Sequence, residues 1–173
     1  MKMLHLLRHA KSGAKADVED HERPLSRRGR ETARDVGEHL PARLGAIDLV
    51  LCSGARRTRE TLDLVLAGFS PRPRTVIEDE LYLAPPEKLA RRLRRLDARN
   101  TNVLLIGHNP GLHELAVALA DKGSPDFQAL ASGKFPTAAW VSFRVPADWS
   151  ALGSSRHELT AYVTPASLAG EDR

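Results

Sequence analysis

The sequence contains a single cysteine, Cys52, so no disulfide can form within the chain and no zinc site built on several cysteines is available. Its apolar neighbours predict a buried thiol. Aromatic residues make up only 5% of the chain, which argues against the base-stacking surfaces of nucleic-acid-binding proteins. No segment approaches the roughly 18 uninterrupted apolar residues of a membrane-spanning helix. The N-terminal apolar segment, broken by Arg8 and His9, lacks a signal-peptide cleavage site. We therefore expect a cytoplasmic protein that binds neither nucleic acid nor membrane.

Several motifs of catalysis and cofactor binding are also missing. There is no glycine-rich phosphate loop, no Gly-x-Ser-x-Gly nucleophile elbow and no dinucleotide fingerprint. The seven histidines include no helical i, i+4 pair accompanied by a carboxylate, so we expect neither a metal site nor a cofactor. Any chemistry must therefore come from ordinary side chains.

The 173 residues suit one domain, 1–173, with a polar tail at 165–173 that we expect to be frayed. Hydrophobic residues make up 42% and charged residues 28%, as in soluble globular proteins. Lysine and arginine number 26 against 22 acidic residues, and this net charge of +4 favours anionic ligands.

Short apolar runs alternate with segments of helical periodicity. The runs predict strands at 3–7, 47–52, 75–77, 102–106, 138–145 and 159–163. The periodic segments predict helices at 27–40, ending near Pro41, after Ser53-Gly54, from Pro86, and from Pro110 with Asn109 as N-cap. Loops are expected at 13–23, 70–74 and 122–137. This alternation predicts an α/β fold of three layers, with helices on both faces of a mostly parallel sheet.

Polar side chains follow three of these strands: Arg8-His9, Ser53 with Arg57, and Gly107-His108. The carboxyl ends of parallel strands meet at one edge of a sheet, where such folds bind ligands. Arginine forks match phosphate oxygens, and a neutral histidine can attack phosphorus to form a covalent intermediate. The pattern predicts a phosphoryl-transfer site, although a histidine at a strand end is often only a hydrogen-bonded structural residue.

Five segments, in order, resemble the histidine phosphatase superfamily and its phosphoglycerate-mutase-like fold, within it the short SixA-like phosphohistidine phosphatases, which have no large lid. The segments are LLRHAKS at 6–12, ERPLSRRG at 22–29, LCSGARRTRET at 51–61, DELYLA at 79–84 and VLLIGHNPGL at 103–112. Two positions depart from the family pattern: Ala10 stands where glycine is common, and Gly54 where proline usually follows the serine.

The resemblance implies a role for each matching residue. His9 is the nucleophile that accepts the phosphoryl group, and Arg8, Arg57 and His108 form the phosphate pocket. Arg57 is preferred to Arg56 because the family's arginine falls four residues after the serine. Arg23 resembles a further pocket arginine, and we also assign Asn109 to substrate binding.

The sequence matches the family pattern least closely at the position of the proton donor. Larger members supply a carboxylic acid from a longer middle segment, and Glu80 is the nearest candidate here. The alternative is that Glu80 only orients an arginine. A phosphohistidine leaving group needs less help from an acid, so a weak or absent donor fits such a substrate.

We therefore expect a cofactor-independent phosphatase that forms a phosphohistidine intermediate and acts on phosphohistidine proteins. One alternative is hydrolysis of small phosphoesters such as sugar phosphates. Another is a non-catalytic phosphate-binding or interaction module that uses the basic residues of Arg91–Arg99. The substrate is thus a phosphorylated protein or a small phosphorylated molecule, and the oligomeric state is left open.

Overall fold

A six-stranded sheet with the strand order β3-β2-β4-β1-β5-β6 forms the centre of the computed structural model, which describes residues 1–13 and 17–171. The strands are β1 (Lys2–Arg8), β2 (Leu49–Ser53), β3 (Thr75–Glu78), β4 (Asn102–Gly107), β5 (Trp140–Val145) and β6 (Glu158–Val163). β1 to β4 run parallel, and β5 and β6 extend the sheet antiparallel beyond β1. Arg8 pairs with Gly107, so β1 and β4 end at the same level.

Helices cover both faces of the sheet, so the predicted three-layer α/β/α fold is confirmed. The helices are α1 (Arg27–Leu44), α2 (Arg56–Val65), α3 (Pro86–Arg94), α4 (Gly111–Leu119), α5 (Phe127–Ser132) and α6 (Pro165–Glu171). Leucines of α3, α4 and α5 share one buried cluster with the sheet, and apolar residues of α1, α2 and α6 share the other. No large lid stands over the sheet edge among the described residues. Among the described residues, we find no helix with the length and hydropathy of a membrane span.

Two helices differ from the prediction because buried leucines decide their extent. α1 does not end near Pro41: it continues to Leu44, which is buried, and ends at Gly45, whose φ of +68° a glycine adopts without strain. The predicted loop 122–137 contains α5, held to the core by the fully buried Leu130.

The predicted frayed tail is wrong for 165–171, which form α6. Leu168 of this helix is buried in the same cluster as α1, and that contact holds the segment on the sheet. Residues 172 and 173 lie outside the described part. Cys52 is buried as predicted, and burial raises the pKa of its thiol to about 12.

Candidate active site

A cavity of about 520 Å³ lies at the carboxyl edge of the sheet. It is lined by Arg8, His9, Lys11, Ser12, Asp20, Arg23, Arg57, Leu83, His108, Asn109 and Thr137. The structure therefore brings together every predicted site residue except Glu80. Three different strand ends supply Arg8-His9, Arg57 and His108, as the parallel topology requires.

His9 is placed directly after β1, and its backbone N–H donates to Gly107 O at 3.1 Å. Its ring Nδ1 donates to Ala10 O at 2.7 Å, which puts the lone pair on Nε2. Among the described residues this is the only side-chain hydrogen bond of His9, and Nε2 takes part in none. Burial, opposed by the Ala10 hydrogen bond and assisted by Arg8 and Arg57, lowers the pKa of His9 to about 4. At neutral pH the imidazole is thus uncharged and nucleophilic.

His108 follows β4, and its ring centroid lies 5.2 Å from that of His9. Its Nε2 contacts Ser53 Oγ at 2.8 Å, while its Nδ1 is buried and has no hydrogen-bond partner. Ser53 Oγ already accepts from the Ala55 backbone N–H at 3.4 Å, so the hydroxyl proton can point to Nε2 and leave Nδ1 protonated. Burial, together with His9 and Arg57, lowers the pKa of His108 to about 3. His108 is therefore a neutral donor.

Arg57 lies in the first turn of α2 and is only 3% exposed. Its two terminal nitrogens donate to Asp20, at 2.7 Å to the backbone oxygen and 3.1 Å to carboxylate Oδ2. Its Nε is buried without a partner. Arg56, by contrast, is exposed and pairs with Glu60 at 3.6 Å, one helical turn away. The helix thus turns Arg57, and not Arg56, into the cavity.

Arg8 and Asn109 donate hydrogen bonds to the same backbone acceptor. Arg8 Nη1 donates to Phe135 O at 3.0 Å, and Asn109 Nδ2 donates to the same oxygen at 2.8 Å. The prediction that Asn109 caps α4 is wrong: Pro110 holds the N-cap position, and the Asn109 side chain donates to Phe135 O instead. Arg8 Nε and Asn109 Oδ1 are buried without partners.

Asp20 and Tyr82 are site residues that the sequence reasoning missed. The Asp20 carboxylate accepts from Arg23 Nε at 3.0 Å and also from Arg57 and the Tyr82 hydroxyl. The Tyr82 hydrogen bond, followed by that of Arg57, lowers the pKa of Asp20 to about 2 against the opposing effect of burial. Tyr82 lies in the quoted DELYLA segment and Asp20 in the loop at 13–23, but neither position has a periodicity that would reveal the contact.

Glu80 does not reach the cavity, so the structure gives no support to its predicted role as proton donor. The side chain is exposed in the 3₁₀ turn Asp79–Leu81. It lines a separate groove with residues of α3 and its C-cap, among them Lys88 and Arg91. The tight turn after β3 directs Glu80 to this groove, whereas Tyr82, two residues later, contacts Asp20.

Gly54, which stands where the family usually has proline, has a steric reason to be glycine. A Cβ atom at this position would lie 1.8 Å from Asp79 Oδ1. The same oxygen accepts from His21 Nε2 at 3.0 Å, which ties the Asp20–Glu22 turn to the turn after β3. A glycine at 54 leaves room for this link.

Comparison with known proteins agrees with the geometry of the site. Residues 4–82 match the model of the histidine phosphatase superfamily, branch 1. An uncharacterised protein of Mycobacterium tuberculosis (strain ATCC 25618 / H37Rv) is 34% identical over 161 residues, covering 92% of this chain and 99% of the relative.

Two solved structures extend this similarity over the whole fold. A SixA-type protein of Nakamurella multipartitia is 28% identical with a TM-score of 0.82, covering 95% of this chain and 96% of that one. The protein histidine phosphatase SixA complexed with tungstate shares the fold, with 23% identity, a TM-score of 0.78 and coverage of 96% and 99%. The chain belongs to the histidine phosphatase superfamily and, within it, to the SixA-like branch.

Proposed function

We propose that this phosphatase moves a phosphoryl group from a phosphohistidine to His9 and then to water. The observation that carries the proposal is the state of His9: a neutral, buried imidazole whose free Nε2 faces a cavity lined by arginines. A site that only bound phosphate would need the arginines but no nucleophile prepared in this way.

Three buried nitrogens without partners support the binding of a phosphoryl group. They are Arg8 Nε, Arg57 Nε and His108 Nδ1. A buried donor left without an acceptor costs free energy, so such groups call for an explanation. The oxygens of a transferring phosphoryl group supply the acceptors that these three donors lack, and the two guanidiniums offset its negative charge.

The first transfer forms one bond to phosphorus and breaks one. His9 Nε2 donates its lone pair to phosphorus, and the bond from phosphorus to the substrate's ring nitrogen breaks with its electron pair on that nitrogen. A substrate ring already protonated at its other nitrogen departs as neutral imidazole, so the enzyme need not supply a proton. In the second transfer, water attacks phosphorus, His9 recovers its lone pair, and inorganic phosphate leaves.

The substrate class is inferred from the carboxylic acids nearest the cavity. An alkyl phosphate needs a proton on its leaving oxygen, but Asp20 is held ionised and Glu80 lies outside the cavity. A phosphohistidine substrate avoids this requirement, and proteins of the SixA type carry the name phosphohistidine phosphatase. We therefore favour a phosphohistidine substrate over sugar phosphates.

Rapid-quench labelling tests the proposal. Protein mixed with a radiolabelled phosphohistidine peptide in the presence of a chelator should form an adduct that is labile to acid and stable to base. The H9A variant should form no adduct and lose turnover, whereas the H39Q variant, altered outside the cavity lining near the C-terminal end of α1, should behave as the wild type. Wild-type turnover in H9A would refute the role of His9. Competitive binding of tungstate without any turnover would instead favour a non-catalytic phosphate-binding module.

A further inference from the structure

One face of α3 carries cations at the spacing of a single helical stripe. Arg91 and Arg92 each lie three or four residues from both Lys88 and Arg95, and together with Glu80 and Leu81 these four cations line a groove of about 90 Å³. Arg92 forms a bidentate ion pair with Glu78 at the end of β3, with its shortest contact at 2.7 Å. This pair fixes the helix beside the carboxyl edge of the sheet.

The remaining three cations outnumber the one acidic residue, Glu80, that lines the same groove. Lys88, Arg91 and Arg95 are exposed, and the described residues offer none of them an ion pair. The dipole of α3 accounts for basic residues near its C-terminus, but Lys88 lies in the first turn, where a cation is disfavoured. Like charges three or four residues apart also destabilise a helix. The stripe therefore carries an internal cost that an external anion would remove.

The groove and the catalytic cavity meet at one short turn. Glu80 and Leu81 line the groove, Tyr82 contacts the catalytic loop at Asp20, and Leu83 lines the cavity. Two residues along the chain span at most about 7 Å, so the two sites are neighbours on the surface. Leu83 is 50% exposed and has a φ of +50°, a conformation that costs energy for a leucine. An exposed leucine held in strain at the edge of the cavity is suited to contact a macromolecule.

We propose that the α3 stripe of Lys88, Arg91 and Arg95 is the docking surface for the acidic face of a phosphorylated protein substrate, with Leu83 as its apolar contact. This inference rests on the proposed phosphohistidine phosphatase function, since it names what surrounds the phosphohistidine. Charge complementarity selects an acidic polypeptide, and the adjacent cavity receives its phosphorylated side chain. Electrostatic attraction of this kind mainly raises the association rate and weakens with salt.

Binding is measured first, with peptides that are not phosphorylated. Two labelled 15-residue peptides contain one central histidine flanked by six glutamates or, in the second peptide, by six glutamines. Fluorescence anisotropy at low salt should show the glutamate peptide binding about tenfold more tightly to the wild type. The triple variant K88Q/R91Q/R95Q should lose this preference. The control R28Q/R34Q/K122Q removes three exposed cations elsewhere and should keep it.

Turnover is then measured with both peptides phosphorylated on histidine by phosphoramidate. The α3 variant should lose about tenfold in kcat/KM on the glutamate peptide and less than twofold on the glutamine peptide, and high salt should abolish the difference. Equal binding of the two peptides by the wild type, or an unchanged preference in the α3 variant, would overturn the docking surface. Tighter binding of a 15-nucleotide single strand than of the glutamate peptide at the same stripe would overturn it in favour of a nucleic acid. Failure of both peptides to turn over, with binding as expected, would refute the phosphohistidine substrate alone.

Discussion

At the scale of single residues, the guanidinium of Arg57 holds Asp20 and also presents one unpartnered nitrogen. Its terminal nitrogens hold the Asp20 backbone and carboxylate, and its buried Nε has no partner among the described residues. Asp20 in turn holds Arg23 at 3.0 Å, so the two guanidiniums are fixed to one carboxylate. The site is therefore preorganised for an anion before any substrate arrives.

Replacement of Arg57 should accordingly cost far more than replacement of its neighbour. R57A should lower kcat/KM for a phosphohistidine peptide by at least about 10²-fold, the typical effect of removing one donor to a developing negative charge. R56A removes an exposed side chain that pairs with Glu60, and should stay within about threefold. Steady-state kinetics on both variants, with circular dichroism to verify folding, makes the comparison. Similar losses at the two positions would contradict the assignment of Arg57 to the phosphate pocket.

Glu80 provides a second comparison at the same scale. Because its side chain lines the α3 groove and not the cavity, E80Q should leave the hydrolysis of an alkyl phosphate and of an activated aryl phosphate within about twofold of the wild type. A general acid would behave differently, with a large loss confined to the alkyl substrate. A selective loss of that kind would restore Glu80 as proton donor.

At the scale of elements, the start of α1 packs against the segment that follows His9. Ser26 caps the helix by accepting from the Gly29 backbone N–H at 3.0 Å, and its hydroxyl donates to Lys11 O at 3.2 Å. A Cβ atom on Gly29 would lie 2.0 Å from that same Lys11 oxygen. The helix can approach the segment that follows His9 this closely only because position 29 has no side chain.

The G29A variant should therefore be destabilised although alanine favours helices. We expect a loss of about 1–3 kcal/mol in the free energy of unfolding, since a backbone atom must move to admit the methyl group. G170A in α6 is the matched control, because nothing lies within 4 Å of a Cβ there and the change should be neutral or stabilise by up to about 1 kcal/mol. Urea denaturation of both variants measures the difference. A G29A protein as stable as G170A would refute the close approach.

At the scale of the whole molecule, four buried histidines with lowered pKa values, His157 among them, make stability depend on pH. Burial lowers the pKa of His5 and of His9 to about 4, and that of His108 to about 3. Between the ordinary value of 6.5 and these lowered values, the unfolded chain binds protons that the folded chain does not. The free energy of unfolding should therefore fall as the pH drops from about 6.5 towards 4.

His5 isolates this effect from catalysis, because it lies within the sheet between Ser142 and Asn102 and not in the cavity. Each such histidine contributes at most about 1.4 kcal/mol per pH unit in this window. Urea denaturation from pH 7 to pH 4.5 should show a steep decline in the wild type and a smaller slope in H5Q. Equal slopes for the two proteins would mean that His5 titrates normally in the folded state.

The sequence by itself determined the order of the six strands and of the first four helices, together with the polar residues that end the strands. Parallel strands align their carboxyl ends, so Arg8-His9, Arg57 and His108 had to converge once the alternation was recognised. The motifs added two assignments: His9 as nucleophile, and Arg57 instead of Arg56 as the pocket arginine. The second assignment is supported by the structure, in which Arg57 is buried on the face of α2 that is turned into the cavity.

Only the tertiary structure decided what lies around these groups. Asp20 contacts Arg57 and Tyr82 across 37 and 62 residues of sequence, and no local pattern encodes such a pairing. Glu80 and Tyr82 are two residues apart, yet a single tight turn places one in the α3 groove and the other against Asp20 in the candidate active site. The physical reason is that strand ends are placed by backbone hydrogen bonding, which sequence periodicity reveals, whereas loop side chains are placed by distant partners that meet only when the chain has folded.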